Sequence, residues 1–293
     1  MHQEIREILS ELDRQVPLLN TKQLQKKFEN VPLEVFGGIQ VDRPPEFSNL
    51  MNWLPKMPSA DVQISWTGNA DHALLKQSIS FIRLSVGKYH ELVCKPMSES
   101  NVLDFGCGWG RLIRLLYKYV PIENIYGVDP WDRSLAICHS CNLHGNLYLS
   151  DYIPRTLPTP TNLKFDFIQA FSVFTHLSEK VTKIAIETLK NHLSDEGILV
   201  LTIRPKEYWT FVLNQSPNFS SDKINQLLDE HDRNGFAFCP HDREKIEGEV
   251  TYGDTSISLE YIKSNFNGLE IAGVEWSETD VLQMIVFLRK RRF

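Results

Sequence analysis

Residues 102–111 read VLDFGCGWGR, an apolar run that reaches a carboxylate and is followed by three glycines on alternate positions. The apolar run over 101–105 is typical of a buried parallel strand, and the spacing of apolar residues over about 111–119 predicts a helix. Glycines at such a junction let the chain turn sharply and let a ligand lie against bare backbone. The unpaired amide groups of the first helical turn would face that ligand. The stretch therefore predicts a ligand-binding turn between a strand and a helix.

Strand and helix patterns alternate after this turn. Chain segments of this kind form a parallel sheet with right-handed crossovers. A short turn at 277–280 joins the last two predicted strands, which indicates an antiparallel hairpin. The further predicted strands are 124–128, 146–149, 165–171, 198–203, 269–276 and 281–289, and the helices between them are about 133–142, 179–192 and 256–265. The predicted fold class is α/β, a doubly wound and mostly parallel sheet.

The pattern D-x-G-x-G-x-G, with Asp129 ending the second strand, resembles the first motif of class I S-adenosylmethionine-dependent methyltransferases. The resemblance covers residues 98–204 well and 256–291 weakly. It implies a seven-stranded sheet of order 3-2-1-4-5-7-6 with an antiparallel last strand. It also implies S-adenosyl-L-methionine as cofactor, S-adenosyl-L-homocysteine as product, and in-line methyl transfer. AFSV follows the fourth strand where amino-directed nucleic-acid methyltransferases carry N-P-P-Y/F, which favours an O- or simple N-nucleophile of a natural product, sugar or peptide.

The resemblance also implies which residues bind the cofactor. Asp104 would hold the methionine ammonium, Asp129 the ribose hydroxyls and Asp151 the adenine amino group. The alternative role of Asp104 is to cap the first helical turn, and that of Asp151 is to cap a turn. Trp131 would lie against the adenine, or alternatively pack under the edge of the sheet. Trp66, ahead of the helix predicted at about 70–93, would cover the pocket or simply lead into that helix. The remaining predicted cofactor residues are Gly106, Cys107, Gly108 and Gly110 in the turn, Pro130 and Trp131 beside Asp129, and Ala170 and Phe171 after the fourth strand.

A base is needed only if the acceptor carries a proton that must leave early, as a hydroxyl does. His176 lies just after the fourth strand and is the first candidate; its alternative is a capping or packing role. His241 and Tyr252 are further candidates, with an exposed loop as the alternative for each. Arg204 and Arg233 are candidates for binding an anionic group, although single arginines usually lie on the surface.

Segments outside the predicted sheet are expected to recognise the acceptor. Residues 1–97 are predicted to form a helical and irregular extension that acts as a lid. Within it, the stretch over 31–62 is rich in proline and is predicted to be irregular. Residues 98–293 are predicted to form the methyltransferase domain, and an insert at 205–255 within it is predicted to cover the substrate. The aromatic residues of this insert predict an apolar floor: Tyr208, Trp209, Phe211, Phe219, Phe236 and Phe238.

Composition excludes several classes of protein. The 293 residues carry a net charge of −6, which disfavours a large nucleic-acid surface. No segment has the roughly 20 apolar residues that span a bilayer. The five scattered cysteines fit reduced thiols in the cytoplasm. Cys138, His139, Cys141 and His144 lie close together but lack the partner motif of a zinc site, so we expect no metal. The alternative functions are an NAD(P)-dependent oxidoreductase on a similar sheet and a non-catalytic S-adenosylmethionine-binding protein.

Overall fold

The computed structural model describes residues 3–215 and 220–292 and has a mixed α/β architecture. Its strands are β1 (Val102–Phe105), β2 (Ile125–Asp129), β3 (Asn146–Leu149), β4 (Phe165–Ala170), β5 (Leu193–Ile203), β6 (Phe236–Pro240), β7 (Gly253–Ile257), β8 (Leu269–Trp276) and β9 (Met284–Lys290). Seven of them form one sheet in the order β3-β2-β1-β4-β5-β9-β8. The last strand, β9, is antiparallel to both of its neighbours. The predicted sheet order is confirmed, and the sixth and seventh predicted strands are β8 and β9 because β6 and β7 form a separate hairpin.

The helices lie mainly in the N-terminal third and between the strands. They are α1 (Gln3–Gln15), α2 (Thr21–Phe28), α3 (Leu33–Asp42), α4 (Ser48–Trp53), α5 (Ala60–Thr67), α6 (Asp71–Leu92), α7 (Ile113–Leu116), α8 (Asp132–Ser140), α9 (Glu179–His192), α10 (Glu207–Gln215), α11 (Ser221–Asn234) and α12 (Leu259–Asn265). Over residues 3–215 and 220–292, none of these helices is both long and apolar enough to cross a membrane.

The chain forms two compact units, Met1–Leu149 and Ser150–Phe293. In the first unit, β1 and β2 are parallel and in register, with Phe105 opposite Val128, so their carboxyl ends lie side by side. All four residues of β1 are buried. Helix α7 is shorter than the predicted 111–119, because the residues on either side of it form turns.

The expectation of an irregular stretch over 31–62 is wrong, because α3, α4 and the start of α5 occupy it. Pro32 precedes the first residue of α3, where a missing N–H costs nothing. Helix α3 ends at Asp42, and the next residue, Arg43, has a left-handed φ of 48° and lies directly before Pro44. These prolines mark helix boundaries and interrupt no helix. The buried side chains of Leu33, Phe36 and Ile39 supply the apolar face of α3.

In the second unit, α9 has the predicted bounds, whereas β5 begins at Leu193, earlier than the predicted 198. Helices α10 and α11 and the β6–β7 hairpin follow β5. A buried cluster of Trp209, Ile224, Leu227 and Ala237 joins them. Phe219 lies outside the described residues.

The loop after β4 pairs with the edge of β7 that does not face β6. The amide of Gly253 donates to the carbonyl of His176 at 2.8 Å, and the amide of Thr255 donates to the carbonyl of Thr175 at 2.9 Å. Leu177 and Tyr252 form an antiparallel bridge between the same two segments. The loop after β4 is thereby fixed against the hairpin, although more than 70 residues separate them in sequence.

Candidate functional site

The turn after β1 requires glycine. Gly106, Gly108 and Gly110 have φ values of 74°, 53° and 79°, all in the left-handed region that side chains disfavour. The amides of Gly106 and Cys107 both donate to the carbonyl of Val128, at 2.8 and 3.0 Å. These bonds tie the turn to the end of β2.

We expect Gly110→Ala to lower the free energy of unfolding by roughly 2–4 kcal/mol. A Cβ at this position would lie 2.1 Å from Leu143 Cδ2, in addition to the backbone strain of a positive φ. Gly68→Ala is the matched control, since φ is +77° there and nothing lies within 4 Å of the methyl group that alanine would add. Urea unfolding of both variants measures the difference. Equal losses would show that the contact with Leu143 costs nothing.

The carboxylate of Asp129 lies against this turn. Its Oδ2 accepts from the Gly108 amide at 2.9 Å, and its Oδ1 accepts from the Trp131 amide at 2.9 Å and from Ser134 Oγ at 2.8 Å. Burial raises the pKa of Asp129, and these three hydrogen bonds only partly oppose the rise. A carboxylate offers about four acceptor positions, so Oδ2 can accept one further hydrogen bond.

Two indole rings lie beside the turn. Trp66 and Trp131 stack with their ring centroids 4.8 Å apart and their planes 16° from parallel. A Cβ at Gly108 would lie 3.6 Å from the Trp66 ring, which therefore covers the open side of this glycine. Trp131 is 40% exposed, an unusual degree for so large an apolar side chain. The distance between the rings leaves no room for a third ring between them.

The other cofactor residues predicted in the first unit, among them Asp104, Cys107 and Pro130, are close in sequence to the glycine turn or to Asp129. Asp104 is buried at the end of β1. Burial lowers the pKa of Arg111 to about 10, and the negative charge of Asp104 partly opposes that shift. A hydrogen bond with Cys138 and burial raise the pKa of the Cys107 thiol. Pro130 is half-buried between Asp129 and Trp131.

Three predicted cofactor residues belong to the second unit. Asp151 is exposed, whereas Ala170 and Phe171 are buried at the end of β4. Ser172 follows them with a left-handed φ of 58°, and its amide donates to Thr202 Oγ1 at 2.7 Å. The backbone after β4 is thus held in a conformation that is uncommon for a residue other than glycine.

Asp254 is the centre of a cluster of polar side chains in the second unit. Its Oδ1 accepts from Arg204 Nη1 at 2.6 Å and from the Tyr208 hydroxyl at 2.9 Å. Its Oδ2 lies 3.0 Å from His241 Nε2. Burial acts to raise the pKa of Asp254, but Arg204, His241 and Tyr208 outweigh it and lower the pKa below its usual value. Asp254 is therefore a carboxylate at neutral pH.

His176 is held as a neutral ring. Its Nδ1 lies 2.7 Å from the carbonyl oxygen of Gly253, and because a carbonyl only accepts, we assign the proton to Nδ1. Its Nε2 faces Arg204 Nη2 at 3.4 Å. Burial and the positive charge of Arg204 lower the pKa of His176 from 6.5 to about 4. Such a ring accepts a proton poorly.

The pKa of His176 predicts a pH dependence of stability. Because the folded protein binds this proton more weakly than the unfolded chain does, its contribution is complete above about pH 6.5. It is lost as the pH falls towards 4, by roughly 3 kcal/mol in total. Urea unfolding between pH 4 and 7 should therefore show a shallower pH dependence for His176→Gln than for the wild type. Parallel curves would mean that His176 titrates normally in the folded state.

His241 differs from His176 in its exposure and its partners. Its side chain is 40% exposed, and its Nε2 contacts the Asp254 carboxylate. Within the described ranges its Nδ1 has no hydrogen-bond partner. An imidazole with one nitrogen on a carboxylate and the other open to a ligand is the arrangement of a general base.

The ring of Tyr252 contacts both histidines. Its ring stacks on His176, with centroids 4.9 Å apart and planes 6° from parallel, and meets the edge of the His241 ring at 5.5 Å. The three residues predicted as catalytic candidates are thus brought together. Tyr208, predicted only as part of an apolar floor, joins the same group through its hydroxyl, and Arg243 was not predicted at all, because these contacts link segments far apart in sequence.

The two arginines considered for an anionic ligand are already engaged. Arg204 is bound to Asp254 and to the carbonyl of Thr175. Arg233 donates to the carbonyl of Asp229 in its own helix. In the described part of the chain, no group of three or more His, Cys, Asp or Glu side chains is arranged to hold a metal ion.

Comparisons with known proteins agree with the architecture. A methyltransferase from Clostridium acetobutylicum ATCC 824, described as S-adenosylmethionine-dependent, superposes with a TM-score of 0.51 at 17% identity, covering 79% of this chain and 97% of that one. The PH0226 protein from Pyrococcus horikoshii OT3 gives a TM-score of 0.51 at 13% identity, covering 72% and 90%. The uncharacterized protein RP028 of Rickettsia prowazekii (strain Madrid E) is 22% identical over 203 residues, 61% of this chain and 78% of that protein. At these identities the structural likenesses show the fold.

The sequence also matches the model of a known protein family. The model described as "Methyltransferase domain" matches residues 79–242, which is more than half of the chain and includes both the glycine turn and the loop after β4. The chain therefore belongs to the methyltransferase-domain family and is a class I S-adenosylmethionine-dependent methyltransferase.

Proposed function

We propose that this enzyme methylates an oxygen or nitrogen nucleophile of a small or medium-sized acceptor, such as a natural product, a sugar or a peptide. We further propose that His241, oriented by Asp254, takes the proton of that nucleophile. The observation that carries the proposal is the 3.0 Å contact between His241 Nε2 and Asp254 Oδ2, while no described residue forms a hydrogen bond with His241 Nδ1.

The first unit offers what an adenosyl group requires. Asp129 has one acceptor position left for a ribose hydroxyl, and the glycines leave the backbone of the turn bare. Trp131 presents a partly exposed indole, covered by Trp66 on one face, against whose exposed part a base can pack. The other residues proposed to hold the cofactor are Asp104, Gly106, Cys107, Gly108, Gly110, Pro130 and Trp66 in the first unit, and Asp151, Ala170 and Phe171 in the second.

Bound cofactor supplies a methyl group that is already activated on a sulfonium, so the side chains mainly orient the nucleophile and accept its proton. His241 suits the second task better than His176. The Nε2 of His176 faces a guanidinium and its pKa is about 4. We propose that His176 positions Gly253 and Tyr252, and that His241 contacts the acceptor.

The segments outside the sheet are proposed to enclose the ligands. Residues 1–97 contribute Trp66, which covers Gly108, in support of a lid. The insert at 205–255 of the methyltransferase domain, 98–293, carries Tyr208, His241 and Tyr252, in support of an acceptor cap. All five cysteines are free thiols, which supports a cytoplasmic location. The net charge of −6 supports an acceptor other than nucleic acid.

The test is a transfer assay with methyl-labelled S-adenosylmethionine and a panel of hydroxyl- and amine-bearing small molecules, sugars and peptides. We expect label in at least one acceptor, and a loss of transfer to hydroxyl acceptors in His241→Ala. His139→Ala is the control, because His139 lies in α8, outside the cluster. Binding of the cofactor with no transfer to any member of the panel would contradict the proposed acceptors.

A further inference from the structure

Arg243 lies beside the proposed base, over the ring of Tyr252. Its Cζ lies 4.2 Å from the centroid of the Tyr252 ring, while its side chain remains exposed to solvent. The His241 ring contacts the same tyrosine at 5.5 Å. These two distances place the guanidinium carbon within about 10 Å of the centre of the His241 ring.

The charge of Arg243 is not neutralised by any carboxylate within residues 3–215 and 220–292. Over those residues it forms no ion pair, not even with its chain neighbours Asp242 and Glu244. The other arginines of the second unit near this region have partners: Arg204 is bound to Asp254, and Arg155 to Glu247. Arg204 and Asp254 form an ion pair and His176 is neutral, so within the described residues Arg243 brings to this cluster a cationic group that has no ion-pair partner.

The contact with the Tyr252 ring leaves the N–H donors of Arg243 available for a ligand. Stacking on an aromatic ring uses the flat face of the guanidinium. Its N–H groups lie in the plane of that face and point outward from the edge, in a fork that matches the two oxygens of a carboxylate. A stacked guanidinium also has less conformational freedom to lose on binding than a free side chain.

We propose that Arg243, held against Tyr252, binds a carboxylate of the acceptor, so that the molecule methylated beside His241 and Asp254 is an organic acid. This inference rests on the proposed function. The bound carboxylate and the nucleophile would be separated by about the width of an aromatic ring, because Arg243 and His241 contact one ring in common. Arg243 is then a specificity residue that takes no part in proton transfer.

The experiment uses two probes of nearly the same shape, 4-hydroxybenzoate and 4-hydroxybenzamide; the amide lacks the negative charge and carries an NH2 group in place of one carboxylate oxygen. Each is titrated into the full chain saturated with S-adenosylhomocysteine, and the Nε–Hε signals of arginine are followed by NMR after labelling arginine with ¹⁵N. The signal missing from Arg243→Gln identifies this side chain. We expect 4-hydroxybenzoate to shift the Arg243 signal saturably and to bind about tenfold more tightly than the amide. In Arg243→Gln the two affinities should become equal.

Arg233→Gln is the matched control, because Arg233 is an exposed arginine of the same unit and, among the described residues, donates to the carbonyl of Asp229 in its own helix. It should retain the tenfold preference. Equal binding of the two probes by the wild type, binding of neither at millimolar concentration, or loss of the preference in Arg233→Gln would each overturn the proposal. The readout is independent of turnover: a preserved preference in a protein that methylates no acceptor would count against the proposed function alone.

Discussion

Asp254→Asn is expected to slow methyl transfer to a hydroxyl acceptor about a thousandfold and to leave the affinity for S-adenosylhomocysteine unchanged. Asparagine has nearly the shape of aspartate, but it lacks the negative charge that orients His241. It also leaves the buried guanidinium of Arg204 without its counter-charge. Initial rates with labelled cofactor measure the first effect, and calorimetry with the product measures the second.

Two further variants separate catalysis from folding. An unpaired buried charge can cost about 3–5 kcal/mol of stability, so Asp254→Asn must be shown to be folded. His241→Gln avoids this difficulty because the side chain is 40% exposed and Arg204 keeps its partner. It should lose a similar factor in rate. Tyr208→Phe removes only one hydrogen bond to Asp254 and should cost less than tenfold. Wild-type rates in His241→Gln would contradict the role of His241 as base.

Asp129→Asn should weaken the binding of S-adenosylhomocysteine by about a hundredfold, equivalent to about 2.7 kcal/mol. The carboxylate accepts from two amides and a hydroxyl, whereas asparagine turns one acceptor oxygen into a donor that faces the Gly108 or Trp131 amide. The position left for a ribose hydroxyl would be lost or misaligned. Isothermal titration calorimetry gives the affinity.

Asp132→Asn is the control for this substitution. Asp132 lies three residues further on, is exposed, and its carboxylate contacts the adjacent Arg133 amide. We expect its affinity to remain within about twofold of the wild type. Equal weakening in both variants would indicate that net charge, and not the place of Asp129 beside the glycine turn, controls binding. Circular dichroism should be used to check that each variant is folded.

Local sequence determined much of what could be predicted. The glycine turn, β2 and Asp129 lie within 30 residues, and their spacing has a direct physical meaning in backbone conformation. The sheet order followed from the resemblance. Sequence patterning does not predict the helices over 31–62 because prolines usually interrupt helices, whereas Pro32 and Pro44 lie outside α3. Whether proline breaks or bounds a helix depends on which side chains the tertiary structure buries.

The cluster around Asp254 could be predicted only in part. His176, His241 and Tyr252 were identified by residue type, but their proximity depends on the pairing of the loop after β4 with the edge of β7. The preference for His241 over His176 depends on burial and on the position of Arg204, which sequence spacing does not reveal. The stacking of Arg243 on Tyr252 is a tertiary contact of the same kind.

A crystal structure with bound S-adenosylhomocysteine tests whether the turn after β1 and the carboxylate of Asp129 hold the adenosyl cofactor. We expect a ribose hydroxyl within hydrogen-bonding distance of Asp129 Oδ2, with the three protein donors to this carboxylate retained. A complex in which Asp129 keeps only those three donors while the ribose lies elsewhere would contradict this role of Asp129.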